Sequence, residues 1–279
     1  MTKKSIITTS ILLSILALIL VLFGAVFRLR QIDVEISLQE GSAVAVTKED
    51  ILTASKLKRG GSIFMVDKQT AIDNIEQTYS EIKVVQIETV NVVKVKIVVR
   101  ERVEMFYAEY QNTFYCMDED LKVMRIFAKT SESEPTNLIK IETDIGITSN
   151  TKTCDFMNKT YAAISYDWFV AMYTNVMVSN RYVERADICS LVASISFEKA
   201  YALTDEGENA VQYTKLVLKT RSLNEGAAGG IVMEIANPET GLDRKVNMCF
   251  VAYNSESVDN THGKLVIKYD GSFVYLPND

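Results

Sequence analysis

Residues that could carry out chemistry are few and widely spaced. His262 is the only histidine among 279 residues, and its stretch NTHGK shows no neighbouring serine, cysteine or acid that would form a catalytic group. The four cysteines, Cys116, Cys154, Cys189 and Cys249, form no C-x-x-C pair. Neither G-x-S-x-G nor H-E-x-x-H occurs. We therefore expect no catalytic residue, no bound metal and no cofactor, and we predict that the protein is not an enzyme.

Two other stretches have some features of ligand loops but fit turns better. LNEGAAGGI lacks the Lys-Ser/Thr pair and the helix start that a phosphate cradle needs, which predicts a loop. MDEDLK offers Asp118, Glu119 and Asp120 without the spacing and distal glutamate of a calcium loop, which predicts a hairpin turn. The cysteines fit either two disulfides of open connectivity, if they lie outside the cytoplasm, or small buried thiols.

The composition is that of a folded protein with a sizeable core. Hydrophobic residues make up 48% of the chain and charged residues 24%. The net charge of −6 argues against nucleic-acid binding, because attraction to phosphates requires a basic surface.

The first thirty residues predict a membrane anchor. No charged residue lies between Lys4 and Arg28. Residues 6–27 would form a helix of about 33 Å, which matches the bilayer core. A cleaved signal peptide would have an apolar region of only about 7–15 residues and a small-x-small cleavage site. We predict one span, with residues 1–5 as a cytoplasmic tail and the rest extracytoplasmic, although the flanking charges alone give nearly a tie.

Residues 28–102 alternate between strand and helix patterns. QIDVEISL predicts a strand, VTKEDILTASKL a helix capped by Thr47, and VDKQTAIDNIEQTYSEI a second helix capped by Asp67. KVVQIETV and VVKVKIVVRER predict two further strands. A basic stripe on the last strand fits either a docking face for acidic partners or headgroups, or a solvated strand face; it comprises Lys94, Lys96, Arg100 and Arg102.

Residues 103–279 are predicted to be rich in strands. A helix is expected from Tyr161 in YAAISYDWFVAMYTNVM. The strands are expected in ICSLVASISF, VQYTKLVLKT, GIVMEIA, KVNMCFVAY, KLVIKY and SFVYL. The last two form a hairpin around Asp270-Gly271, which suits a two-residue turn. The fold class is α+β, with a mostly antiparallel sheet and one main helix.

The order of these features resembles the bacterial cell-division family FtsQ/DivIB. The chain shares a lone anchor, a strand-helix-helix-strand-strand unit like a POTRA domain, LKRGGSIF between the helices and VRER closing the last strand. Glu101, Arg102 and Asp118 match the family pattern, and the family's hairpin glycine is replaced near Leu121. A β domain follows the POTRA domain in that family.

The resemblance implies a non-enzymatic scaffold at the division septum. Its partners would be membrane division proteins of the FtsB/DivIC and FtsL type, captured by strand addition at the β domain. By position, the partner-binding residues would be Leu265, Val266, Ile267, Tyr269, Phe273 and Tyr275. Arg100, Glu101 and Arg102 would form the seam between the domains. The alternatives are a membrane-anchored extracytoplasmic sensor or surface-binding module, an extracytoplasmic enzyme and, for the hairpin, a closed core position.

Overall fold

A computed structural model describes most of the chain outside its first residues. The described residues are 13–15, 27–39, 41–130, 134–157, 189, 191–203, 210–221, 230–259 and 261–277. The chain divides into two compact units, Met1–Arg102 and Val103–Asp279. No helix within the described ranges has the length and apolarity to cross a membrane. The predicted anchor lies almost entirely outside these ranges, and the helix predicted from Tyr161 lies wholly outside them.

The first unit is a three-stranded sheet with two helices. Its elements are β1 (Gln31–Ser37), α1 (Lys48–Ser55), a 3-10 turn (Ile63–Met65), α2 (Lys68–Thr78), β2 (Ile82–Asn91) and β3 (Lys94–Glu101). β3 is the central strand, parallel to β1 and antiparallel to β2. The predicted order of strand, helix, helix, strand, strand is therefore confirmed.

Local caps fix where the two helices begin. The Thr47 hydroxyl accepts a hydrogen bond from the Asp50 amide at 3.2 Å, and the Asp50 carboxylate accepts one from the Thr47 amide at 2.9 Å. Asp67 accepts from the Thr70 amide at 3.0 Å, so both predicted caps are confirmed. Ile51 of α1 and Ile75 of α2 are fully buried against the sheet.

The second unit is built on one nine-stranded sheet. Its strands are β4 (Phe106–Tyr110), β5 (Thr113–Met117), β6 (Val123–Ala128), β7 (Ile139–Ile141), β8 (Val192–Leu203), β9 (Ala210–Thr220), β10 (Val232–Ala236), β11 (Lys264–Ile267) and β12 (Phe273–Leu276). They are arranged in the order β12-β11-β10-β9-β8-β7-β4-β5-β6. Five neighbouring pairs are antiparallel and three, β10–β11, β4–β7 and β7–β8, are parallel.

The strand predicted in KVNMCFVAY is wrong. These residues lie in helix α3 (Leu242–Tyr253), which buries Leu242, Val246, Cys249, Phe250 and Tyr253 on one face. The pairing of the flanking strands explains the difference: β10 and β11 are parallel, and a parallel pair needs a crossover connection, usually a helix. Val246, Met248 and Phe250 also alternate, so the local pattern fits both structures.

The turn between β5 and β6 is the predicted MDEDLK hairpin. The Asp118 carboxylate accepts hydrogen bonds from the amides of Asp120 at 2.8 Å and Lys122 at 2.9 Å. Leu121 has a φ of 60°, the left-handed conformation that glycine adopts most easily. Its side chain is only 1% exposed. Burial of the Leu121 side chain in the core therefore stabilises a left-handed backbone conformation that leucine rarely adopts.

Candidate partner-binding edge

The last strand of the chain forms one edge of the large sheet. Among the described strands, β12 pairs only with β11, whereas β11 also pairs with β10. Backbone groups on the outer side of an edge strand are available to a further strand. The exposed edge is thus β12 and not the Leu265–Ile267 stretch, whose amides lie inside the sheet.

The register identifies which groups of β12 face outward. Lys268 donates its amide to the Ser272 carbonyl at 2.9 Å, and Val266 stands opposite Val274. In an antiparallel pair, hydrogen-bonded and non-hydrogen-bonded positions alternate. Phe273 and Tyr275 therefore direct their N–H and C=O groups away from β11. Pro277 has no N–H to offer at the next such position.

The hairpin loop is one residue longer than the predicted two-residue turn. It comprises residues 269–271, closed by a hydrogen bond from the Gly271 amide to the Lys268 carbonyl at 2.9 Å. Gly271 alone takes a positive φ, 82°, as in a three-residue loop with a bulge. The Asp270 carboxylate accepts from the Ser272 hydroxyl at 2.6 Å and amide at 2.8 Å, which lowers the pKa of Asp270.

The predicted partner-binding residues fall on different sides of the hairpin. Leu265 and Ile267 are buried in the core, at most 1% exposed, so the structure places them in a closed position. Tyr275 stands opposite Leu265 and Phe273 opposite Ile267, on the face covered by α3. Phe273 and Tyr275 are half-buried, and Val266 lies on the opposite face of the sheet.

An apolar groove runs between β12 and α3. Its volume is about 510 Å³, and its lining includes Met248, Val251, Ala252, Val258, Phe273 and Tyr275. Val251, on α3 itself, is 63% exposed, a high value for a valine on a helix that packs against the core. The helix residues of this groove were missed because their segment was interpreted as a strand. The signal that identifies them is the spacing of Leu242, Val246 and Cys249, which is helical.

The opposite face of the hairpin carries an ion-pair cluster. The Glu234 carboxylate lies 3.1 Å from the ammonium groups of both Lys215 and Lys264. Burial raises the pKa of Glu234, but hydrogen bonds from Lys264 and Lys215 outweigh it and leave the pKa below its ordinary value. Val266, opposite Val274 on this face, lies beside the cluster and not in the groove.

Tyr269 lies in the hairpin loop and contacts a second aromatic residue. Its ring centroid is 5.3 Å from that of Tyr213, with the planes tilted by 54°. Both line a largely polar cleft of about 610 Å³ together with Lys199, Asn237 and Glu239.

The residues predicted to form the domain seam lie at the end of β3, the last strand of the first unit. The Glu101 carboxylate accepts a hydrogen bond from the Gln39 amide at 2.9 Å. Arg102 is 6% exposed and donates to the Glu76 carboxylate at 2.6 Å and the Ile82 carbonyl at 3.2 Å. It is thus a buried residue and not part of a solvated stripe. In the antiparallel register of β2 and β3, the backbone of Arg100 stands opposite that of Lys83.

The chemical groups of the chain do not converge on a reaction centre in the described residues. His262 does have an acid beside it, since its Nδ1 lies 3.2 Å from the Asp259 carboxylate, but both side chains are half-exposed. In the ranges that the structure covers, no three potential metal ligands cluster and no disulfide joins any of the four cysteines. Burial raises the pKa of the Cys116 thiol to about 11, so the thiolate is disfavoured.

The fold of the first unit, a β-α-α-β-β domain, is that of a POTRA domain. Residues 27–102 match the family model described as "POTRA domain, FtsQ-type". The match covers the first unit, confirms the resemblance found in the sequence and supports an FtsQ/DivIB-type protein. No curated protein matches the chain.

Proposed function

We propose that this protein is a membrane-anchored, septal scaffold of bacterial cell division that captures an extended segment of a partner at β12. The FtsQ-type POTRA domain supports the process, since that domain type suggests a division scaffold. The extracytoplasmic orientation and the partner class, small membrane division proteins of the FtsB/DivIC and FtsL type, are parts of the same proposal.

The observation that carries strand capture is the combination of an open edge with an adjacent groove. Phe273 and Tyr275 offer outward backbone groups, and the apolar groove beside α3 lies along the same strand. A partner strand paired to β12 would bond to the backbone while its alternate side chains enter the groove. Main-chain bonds would supply affinity and the groove would supply selectivity.

A pair of variants at one position tests the backbone contribution. Tyr275→Pro and Tyr275→Ala both remove the ring, but only the proline removes the outward N–H. We expect Tyr275→Pro to lose capture of the FtsB/DivIC- and FtsL-type proteins of the same bacterium in co-purification from membranes, and Tyr275→Ala to retain more of it.

Val274→Pro is the contrasting variant. The N–H of Val274 faces β11, and removing this N–H should open the hairpin itself. Equal capture by Tyr275→Pro and the unmodified chain, with the hairpin intact by hydrogen exchange, would refute strand addition at this edge. Failure of a functional N-terminal fluorescent fusion to concentrate at the septum would refute the division role.

A second candidate is a surface-binding module, which the tyrosine-lined cleft favours. Two aromatic rings beside several polar side chains are typical of sites that hold a polar ligand. Titration with soluble peptidoglycan fragments tests this candidate. Saturable binding that Tyr269→Ala abolishes would support it, and absence of binding would exclude this ligand class.

A further inference from the structure

The loop between the two helices of the first unit is fastened to the residues that directly follow the apolar N-terminal run. The Ile63 amide donates to the Phe27 carbonyl at 3.0 Å and the Leu29 amide to the Gly61 carbonyl at 2.8 Å. Gly60 donates back to the Leu29 carbonyl at 2.7 Å. Residues 60–63 therefore lie at the end of the unit where the chain enters it.

This loop presents two large apolar side chains to solvent. Phe64 is 70% exposed and Met65 is 84% exposed. The ring of Phe64 lies 5.1 Å from that of Phe27, the last residue of the apolar run. Exposed apolar residues that adjoin one another mark a surface that is covered by something apolar.

The turn between β2 and β3 lies at the same end of the unit. The amides of Arg30 and Gln31 donate to the Val93 carbonyl at 2.8 and 3.1 Å. Val92, in this turn, is 48% exposed. Three segments therefore bring apolar side chains to one end of the domain.

Basic side chains surround these apolar residues. Lys58 and Arg59 precede the loop glycines, and Arg28 and Arg30 follow Phe27; all four are exposed. Cationic and apolar side chains together match the interface of an anionic bilayer, where aliphatic and aromatic groups enter the headgroup boundary and ammonium or guanidinium groups meet phosphates.

We infer that Arg28, Lys58, Arg59, Phe64, Met65 and Val92 form a bilayer-binding surface, here called the juxtamembrane patch. Its occupant is the interface of an anionic phospholipid bilayer. The occupant follows from continuity, because residues 6–27 form an uncharged, mainly apolar stretch that ends at Phe27, whose ring lies against Phe64 of the patch. The inference rests on the anchored topology proposed above. It adds that the POTRA domain itself lies on the membrane surface.

Tryptophan fluorescence of the full-length chain in proteoliposomes tests the patch. The unmodified chain has one tryptophan, Trp168, which supplies the baseline. In vesicles that contain phosphatidylglycerol brominated on the upper acyl chain, we expect Phe64→Trp to add emission that is blue-shifted and largely quenched. Met65→Trp should behave in the same way.

Val85→Trp is the matched control. Val85 is 51% exposed on β2, six residues from Asn91 and so about 20 Å along the strand from the patch. Its added emission should be red-shifted and unquenched. Equal quenching at positions 64 and 85, or absence of quenching at both positions 64 and 65, would overturn the inference.

Charge and anchoring have separate readouts. Lys58→Ser with Arg59→Ser should reduce the quenching of Phe64→Trp on phosphatidylglycerol vesicles towards its value on phosphatidylcholine vesicles. If the Phe64→Trp chain with Lys58 and Arg59 in place is quenched equally on both lipids, the anionic preference is refuted. Flotation of the unmodified chain with vesicles after an alkaline wash reports the anchor. If flotation fails, the anchored topology is wrong, and quenching on vesicles added to the chain still decides the patch.

Discussion

Arg102 and Glu76 form an ion pair inside the first unit, with Nη2 of the arginine 2.6 Å from Oε2 of the glutamate. The arginine side chain is 1% exposed and the glutamate side chain 17%. The other Glu76 oxygen accepts a hydrogen bond from the Val84 amide at 2.9 Å. This pair therefore joins the end of β3 to α2 and β2, the elements that surround it in the domain.

Removing one partner of this pair should destabilise the first unit. Glu76→Gln removes the carboxylate charge that lies against the buried Arg102 guanidinium, at a cost of about 3–5 kcal/mol in the free energy of unfolding. Glu35→Gln is the matched control, since Glu35 pairs with Lys96 at the surface, where such a pair contributes little. Hydrogen exchange of β2 and β3 in the full chain measures both. Similar protection in the two variants would contradict a stabilising role for the buried pair.

A charge in the groove should weaken partner capture without unfolding the domain. Val251→Asp places a carboxylate among Met248, Phe273 and Tyr275, where a partner's apolar side chains would have to desolvate it. Because Val251 is 63% exposed, the free protein should keep its melting temperature. Tyr201→Asp, at another exposed apolar position, controls for the added charge. Undiminished co-purification of the Val251→Asp chain would show that the groove is not part of the interface.

Replacing Leu121 should reveal which of two opposing effects dominates. Glycine relieves the left-handed backbone strain by about 1–2 kcal/mol, but loss of a buried leucine side chain costs about 2–5 kcal/mol. We expect Leu121→Gly to be destabilising by about 1–3 kcal/mol. Denaturant unfolding with near-ultraviolet detection measures the change, and a more stable variant would show that strain outweighs packing at this turn.

The ion pairs of Glu234 should make the stability of the second unit depend on pH. Its pKa in the folded protein is below the ordinary value of 4.5, so its stabilising contribution is complete above that pH and is lost as pH falls through the folded pKa. Glu234→Gln should therefore be less stable than the parent near neutral pH, with the difference shrinking on acidification. Melting temperatures between pH 3 and 7 test this. A pH-independent difference would mean that packing, and not charge, accounts for the loss.

Local sequence determined the first unit because its signals are short-range. Thr47 and Asp67 cap helices through bonds within three residues, and the alternation of Val95, Ile97 and Val99 defines the buried face of β3 whatever its neighbours are. The β5–β6 turn is likewise set by the Asp118 side chain bonding to nearby amides.

Tertiary structure decided the features of the candidate site. KVNMCFVAY fits a strand or a helix locally, and only the parallel pairing of β10 with β11 requires the crossover that makes it α3. Leu265 and Tyr275 both look like strand residues, yet one lies inside the sheet and the other on its edge, because strand order depends on contacts between distant segments. The sequence alone determined that a hairpin ends this chain. Which of its strands is exposed, and that a helix forms a groove beside it, was decided by long-range pairing.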